Sequence, residues 1–394
     1  MDCGHDPRDF YVHRCDVGTP TPRSSVHALV IGTSKYRYKH RGDSTYEKLR
    51  DVPGAALGAG KFAKFLRDKY RDPLGREIAT IRLLLTPMAD EEERALNELG
   101  VIWRPAAYAG VQTALKDWFA DCDTSSDNIS VLYAAGHGIT RLRSFSHVFL
   151  QAEGNEPEAF YFSLNISAIQ EALEYNYSQT KIVITDCCAQ VFVPPRFNNG
   201  ILLEPKEERI AKLMNIHRPC EPLHIAGART GAKAYALGAS EGTMLSYVLE
   251  RLLHSAGELV HHPVEKNEQY FAITQPRMSD LVHSVFRSHP KAKNIPNSGP
   301  CISGQTVTGG LHRPTPPPEF EIEFVAVDHA NSDPVEVTIT TMGGVTLAAE
   351  LVSPGHPLVL KLPPGKYIRK LYSGQAEFIV DRPARFDALS GDLL

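Results

Sequence analysis

The chain has 394 residues, a net charge of −4, 42% hydrophobic residues and 22% charged residues, the balance of an ordinary globular protein of two or three domains. Acidic and basic residues are mixed along it, without the basic run or aromatic–basic array that would point to nucleic acid. Its longest apolar runs are about six residues, far short of the ~20 that span a bilayer.

Residues 1–25 are polar, lack an apolar signal-peptide core and read as an N-terminal arm. The expected location is therefore the cytoplasm, with no membrane partner. Residues 27–32 (HALVIG) predict a strand. From 54 to 70, Ala55, Ala59, Phe62, Ala63, Leu66 and Tyr70 share one helical face. A second strand is expected at 80–86 (TIRLLLT), and residues 87–109 read as an acidic loop. Val111, Leu115, Trp118, Phe119 and Cys122 mark another amphipathic helix. Residues 129–135 (ISVLYAA) form a third buried strand that ends in Gly136-His137-Gly138, and 147–152 (HVFLQA) a short extra one. Ile166, Ile169 and Leu173 mark a third helix, and 181–185 (KIVIT) a strand that ends in Asp186-Cys187-Cys188. Residues 189–222 carry Pro and charge without periodicity. A strand at 223–228 and a helix at 243–253 follow.

Strands apolar on both faces, alternating with helices, imply an α/β fold: a mainly parallel sheet with helices on both sides. Functional residues of such sheets gather at the carboxyl ends of the strands, where His137 and Cys188 both fall. Residues 303–318 (SGQTVTGGLHRPTPPP) read as a linker after a domain spanning 26–302. Residues 319–394 predict a small antiparallel β-sandwich of short strands parted by Gly/Pro turns. Its LKLPPGKY turn resembles transthyretin-like or immunoglobulin-like accessory domains, which implies a binding role and a regulatory protein partner through 319–394.

The chemistry concentrates on cysteine. There are seven, an odd number at wide spacing, with no C-x-x-C, so neither a zinc site nor a disulfide framework is expected. No metal or cofactor is called for, and calcium dependence has no support in the sequence. A hydrolytic cysteine needs a thiolate, a base and oxyanion donors. Cys188, His137 and the backbone N–H groups of Gly138 and Cys188 supply that set. On its own a buried Cys is more often a small apolar residue, and Asp186 has the bland reading of a turn residue that caps local N–H groups. The formal G-x-S-x-G at 238–242 lacks the strong strand a nucleophile elbow needs and reads as a turn. Asn128, Asn165 and Asn176 head N-x-S sequons that carry no weight in a cytoplasmic protein.

His137 precedes Cys188 by 51 residues, and a His about 50 residues upstream of the Cys is a feature of caspases. YAAGHG and KIVITDCCAQ resemble the histidine motif and the D-x-C nucleophile motif of the caspase/metacaspase superfamily. HALVIGTSKY, YEKLRDVPGAALGAGKFAKFL and LHIAGARTGAKAYALGASEGTMLSYVLERLL extend the resemblance over roughly 26–295. The resemblance implies a caspase-like sheet and a cysteine endopeptidase with nucleophile Cys188 and base His137. It also implies a protein or peptide substrate and a role in a regulated defence or cell-death pathway. It implies a substrate-binding role for Asp186, which favours cleavage after Arg or Lys, with Asp51 beside it. Arg50 stands near the position from which caspases bind a substrate Asp. Ala55 stands where metacaspases carry an acid, and Ala189-Gln190-Val191 departs from the usual His-Ser-Gly. The 189–222 segment resembles the processed region of the family, with Arg196, Arg209 and Arg218 as candidate autocleavage residues. The alternative is a catalytically silent caspase-like scaffold.

Overall fold

The computed structural model describes residues 24–36, 51–88, 90–141, 145–149, 163–191, 221–229, 231–261, 269–295, 299–304, 307, 310–326, 334–353, 356–371, 374–380 and 384–387. Arg50, Arg196, Arg209, Arg218 and most of the expected N-terminal arm lie outside the described residues. Among the described residues no helix is long and apolar enough to cross a membrane.

The chain runs β1 (Ser25–Thr33), α1 (Ala55–Asp68), β2 (Glu77–Thr86), α2 (Asp90–Glu98), α3 (Tyr108–Cys122) and β3 (Ile129–Gly136). Short strands β4 (Gly138–Arg141), β5 (Phe145–Phe149) and β6 (Ser163–Asn165) follow, then α4 (Ile166–Glu174), β7 (Thr180–Cys187) and β8 (Gln190–Val191). After these come β9 (Leu223–Ala226), β10 (Ala236–Gly238), β11 (Gly242–Thr243) and α5 (Met244–Ser255). The remaining elements are β12 (Gly257–His261), β13 (Gln269–Ile273), α6 (Gln275–Ser288), a 3-10 turn (Pro290–Asn294) and β14 (Cys301–Ser303), ahead of the C-terminal strands.

The chain divides into two compact units, and not at one point. The first holds 1–252 and 278–308, the second 253–277 and 309–394. A single cut in the 303–318 segment does not describe this, because the β12–β13 hairpin is grouped with the C-terminal strands. Within that unit the Ile273 N–H donates to the His312 carbonyl at 2.7 Å, and Phe271 packs edge-on against Phe320 at 5.7 Å.

The first unit is built on a six-stranded sheet, order β14-β9-β7-β3-β1-β2. All neighbours are parallel except the edge strand β14, which is antiparallel to β9. Every residue of β3 is buried, as expected for a strand covered on both faces. On one face α3 and α4 pack Val111, Leu115, Trp118, Ile169 and Leu173 against Leu132, Ala134 and Val183. The Trp118 indole N–H donates to the His27 carbonyl at 3.0 Å, which gives a buried ring its required partner. On the other face Phe62 of α1 stacks on Tyr133 at 4.9 Å.

The expected loop over 87–109 is interrupted by α2. Four acids in its first turn favour a helix N-terminus, while its few apolar positions hide it from a periodicity search. One of those acids, Glu92, is fully buried. Its Oε1 accepts from Ser34 Oγ at 2.7 Å and from the N–H groups of Gly54 and Leu57 at 3.1 Å each, and its Oε2 accepts from the Met88 N–H at 2.7 Å. A carboxylate from another helix thus caps α1, which has no side-chain cap of its own. Replacing Glu92 with Gln turns one acceptor into a donor that faces buried N–H groups. The expected cost is about 2 kcal/mol, read as a lower urea midpoint at unchanged slope.

The second unit carries β15 (Phe320–Val325), β16 (Val335–Thr341), β17 (Thr346–Val352), β18 (Leu358–Leu362), β19 (Gly365–Leu371), β20 (Gly374–Val380) and β21 (Ala384–Asp387). They form two sheets, β18-β15-β21 and β17-β16-β19-β20. Their core includes Phe324, which packs against Phe378 and Phe386 at 5.7 and 5.5 Å. The expected antiparallel sandwich needs one amendment: β21 pairs parallel to β15. Four residues after a proline gave no strand signal of their own, and Phe386 is held by the aromatic cluster.

Candidate active site

The central feature is a register. β3 and β7 are adjacent and parallel, paired from Ile129↔Thr180 to Gly136↔Cys187. Beyond the break both chains pair again, β4 with β8, as Ile139↔Gln190 and Thr140↔Val191. The offset is 51 residues on both sides of the break. His137 and Cys188 lie in the gap with that same offset, each just past the carboxyl end of its strand.

Close backbone contact holds the two chains together there. A Cβ built on Gly138 would lie 2.5 Å from both the Cys188 carbonyl oxygen and the Cys187 Sγ. Only glycine allows this approach. Gly136 turns the chain with φ 148°, and a Cβ there would collide with the Tyr36 hydroxyl.

Strand alternation separates the two cysteines. Cys187 belongs to the core on the α3/α4 face, and burial pushes its thiol well above the ordinary range. Cys188, past the strand end, is partly exposed, with its Sγ 3.8 Å from the Ala234 carbonyl. Burial also raises the Cys188 thiol, and the Asp186 charge adds to this while Lys233 opposes it. A thiol raised by desolvation needs a nearby base or cation to ionise. The chain after Cys188 is pinned: the Ala189 N–H donates to the Ala232 carbonyl at 3.0 Å, and the Gly231 N–H to the Ala189 carbonyl at 2.7 Å. Exposed Lys233 is carried on that segment.

Asp186 is 3% exposed. Its Oδ2 accepts from the Tyr133 hydroxyl at 2.8 Å and from the Thr243 hydroxyl, while Oδ1 borders Gly227. Desolvation pushes its pKa up to about 6, against the pull of Thr243 and Tyr133. Asp51 is exposed and accepts the Tyr36 N–H at 2.9 Å. Ala55 is buried in the first turn of α1.

Two residues of the site lie in segments that carry the resemblance but received no role from the sequence. Tyr36 meets His137 from 101 positions away, and Lys233 reaches Cys188 only through the fold. The other motifs resolve as structure. Gly238 and Gly242 pair across the β10–β11 turn with Ser240 exposed. Asn128, Asn165 and Asn176 are each buried and bonded to nearby backbone. Among the described residues no cluster of His, Cys, Asp or Glu is arranged to hold a metal ion, and Cys122, Cys187, Cys188 and Cys301 are free thiols.

No family model matches the chain, and no curated protein matches it. Among solved structures it is similar to caspase-1 from the insect Spodoptera frugiperda, at 11% identity and a TM-score of 0.40, over 76% of this chain and 97% of that one.

Proposed function

We propose that the protein is a caspase-like cysteine endopeptidase with Cys188 as nucleophile and His137 as base. The observation that supports this is the 51-residue offset shared by the β3/β7 and β4/β8 pairings, with His137 and Cys188 each one residue past the carboxyl end of adjacent central strands. The imidazole takes the thiol proton, and the thiolate attacks the scissile carbonyl carbon. The N–H groups of Gly138 and Cys188 stabilise the resulting oxyanion. Collapse of the tetrahedral species expels the amine, which leaves with the proton returned by the imidazolium. His137 then deprotonates a water that attacks the thioester. A second collapse frees the acid and restores the thiol.

The specificity carried from the sequence is cleavage after Arg or Lys. A substrate cation would have to reach Oδ1 of Asp186 beside Gly227, since Oδ2 already serves two hydroxyls. The proposed protein substrates include the chain itself at Arg196, Arg209 or Arg218, within a regulated proteolytic pathway.

The test is labelling with peptidyl acyloxymethyl ketones that carry Arg, Lys or Asp at the terminal position, followed by peptide mapping. The expected result is a single adduct on Cys188, fastest with the basic probes. Absence of a Cys188 adduct with all three probes, under every activating condition tried, leaves the silent scaffold as the better reading.

A further inference from the structure

The turn that presents His137 is built around Tyr36. Tyr36 lies just past the end of β1 and is 4% exposed. Its hydroxyl oxygen accepts the His137 N–H at 2.7 Å. Its ring lies 4.8 Å from the imidazole, tilted by 50°. The residue is itself fixed on both sides. The Ser34 and Lys35 N–H groups donate to the Thr86 carbonyl at 2.8 and 3.3 Å, and the Val52 N–H donates to the Ser34 carbonyl at 2.8 Å. The Tyr36 N–H goes to Asp51. Gly136 completes the arrangement, because any side chain there would occupy the space of the Tyr36 hydroxyl.

We propose that Tyr36 is a positioning residue for His137: its hydroxyl fixes the histidine main chain and its ring limits the swing of the imidazole, so that the base is held in one orientation relative to Cys188. The inference rests on the assignment of His137 as base. The physical need is clear. A base displaced by about 1 Å can lose about 10²-fold in rate. A hydrogen bond to the main chain fixes the pivot, and a ring on one flank removes rotamers that an open imidazole would populate. Asp51, read from the sequence as a substrate ligand, has a place in this assembly as the anchor of Tyr36.

The test uses the full chain with Tyr36→Phe, which keeps the ring and removes the hydroxyl, Tyr36→Leu, which removes both, and His137→Ala as reference. The pH profile of Cys188 alkylation by iodoacetamide reports coupling of the thiol to the imidazole, against a background set by Asp186, Cys187 and Lys233. Tyr36→Phe is expected to lower alkylation at neutral pH by about 10-fold and to move the profile upward toward that of His137→Ala. Peptide hydrolysis is expected to lose kcat by a similar factor with KM little changed, and Tyr36→Leu to lose more. A folded Tyr36→Phe protein whose profile overlays the wild type, while His137→Ala moves it, overturns the clamp. If His137→Ala itself leaves the profile in place, it is the assignment of the base that fails. The clamp is then judged by NMR of the His137 ring, assigned by its loss in His137→Ala. A ring signal and titration in Tyr36→Phe identical to wild type overturn it, and a displaced one supports it.

Discussion

Replacing Cys188 with alanine is expected to lower kcat/KM by about 10⁴-fold or more, equivalent to about 5.5 kcal/mol of transition-state stabilisation. The same change is expected to abolish probe labelling and leave the chain intact on prolonged incubation. The informative control is its neighbour. Cys187→Ala removes a sulfur from the packed α3/α4 face, where the loss of one buried atom costs about 1 kcal/mol, and catalysis is expected to stay within a few-fold of wild type. The two substitutions are one residue apart and chemically identical, so unfolding or a general disturbance of the loop would affect both. Only the side on which each thiol emerges differs. Cys187 is the last paired residue of β7 and points into the core, whereas Cys188 lies beyond it and is partly exposed. The reverse outcome, with Cys187→Ala inactive and Cys188→Ala active, would reassign the nucleophile and remove the geometric basis for His137 as its base.

Much of this site was legible in the sequence for one physical reason. The central strands of a doubly covered parallel sheet are continuous apolar runs, so their carboxyl ends are marked by the first residues that break the run. Gly136-His137-Gly138 and Asp186-Cys187-Cys188 are such breaks. Their separation could be read off directly, but not that β3 and β7 are neighbours in register, because strand order depends on long-range pairing. What stayed hidden involves polar groups turned inward. Glu92 looks like one more solvated acid in an acidic stretch, yet it is the cap of α1, and nothing local distinguishes it from Glu91 or Glu93. Tyr36 follows a strand end and carries no periodicity, and its partner lies past the end of the neighbouring strand β3. The C-terminal strands were recognisable from their alternation, whereas β21 was too short to announce itself and depends on Phe324 and Phe378 for its place.

Asp186 is the residue whose meaning the fold changes most, and Asp186→Asn is expected to alter stability in a pH-dependent way. The strand β7 continues to Cys187, so Asp186 falls on the same face as Ile184 and points into the layer that holds Tyr133, opposite to Cys187. Burial raises its pKa from 3.8 to about 6. The folded state therefore binds a proton that the unfolded chain has already released over that interval, and stability falls as pH rises from about 4 to about 6. At 1.36 kcal/mol per pH unit the full loss is about 3 kcal/mol, constant above pH 7. Asparagine is neutral throughout, and its oxygen can accept from Tyr133 and Thr243 in the place of Oδ2. The Asp186→Asn chain is expected to lack the decline between pH 4 and pH 6 and to exceed the wild type by about 1–3 kcal/mol at pH 8, less whatever its amide N–H₂ loses beside Gly227. Urea titrations at closely spaced pH values measure this, and parallel curves for the two proteins would refute a buried, proton-linked carboxylate. Specificity is read separately on the same variant. If a substrate Arg or Lys pairs with Asp186, Asp186→Asn lowers kcat/KM for basic peptides by about 10²–10³-fold, the cost of leaving a desolvated cation unpaired. Retained cleavage after Arg or Lys, together with the predicted change in stability, would confine Asp186 to holding Tyr133 and Thr243 in place.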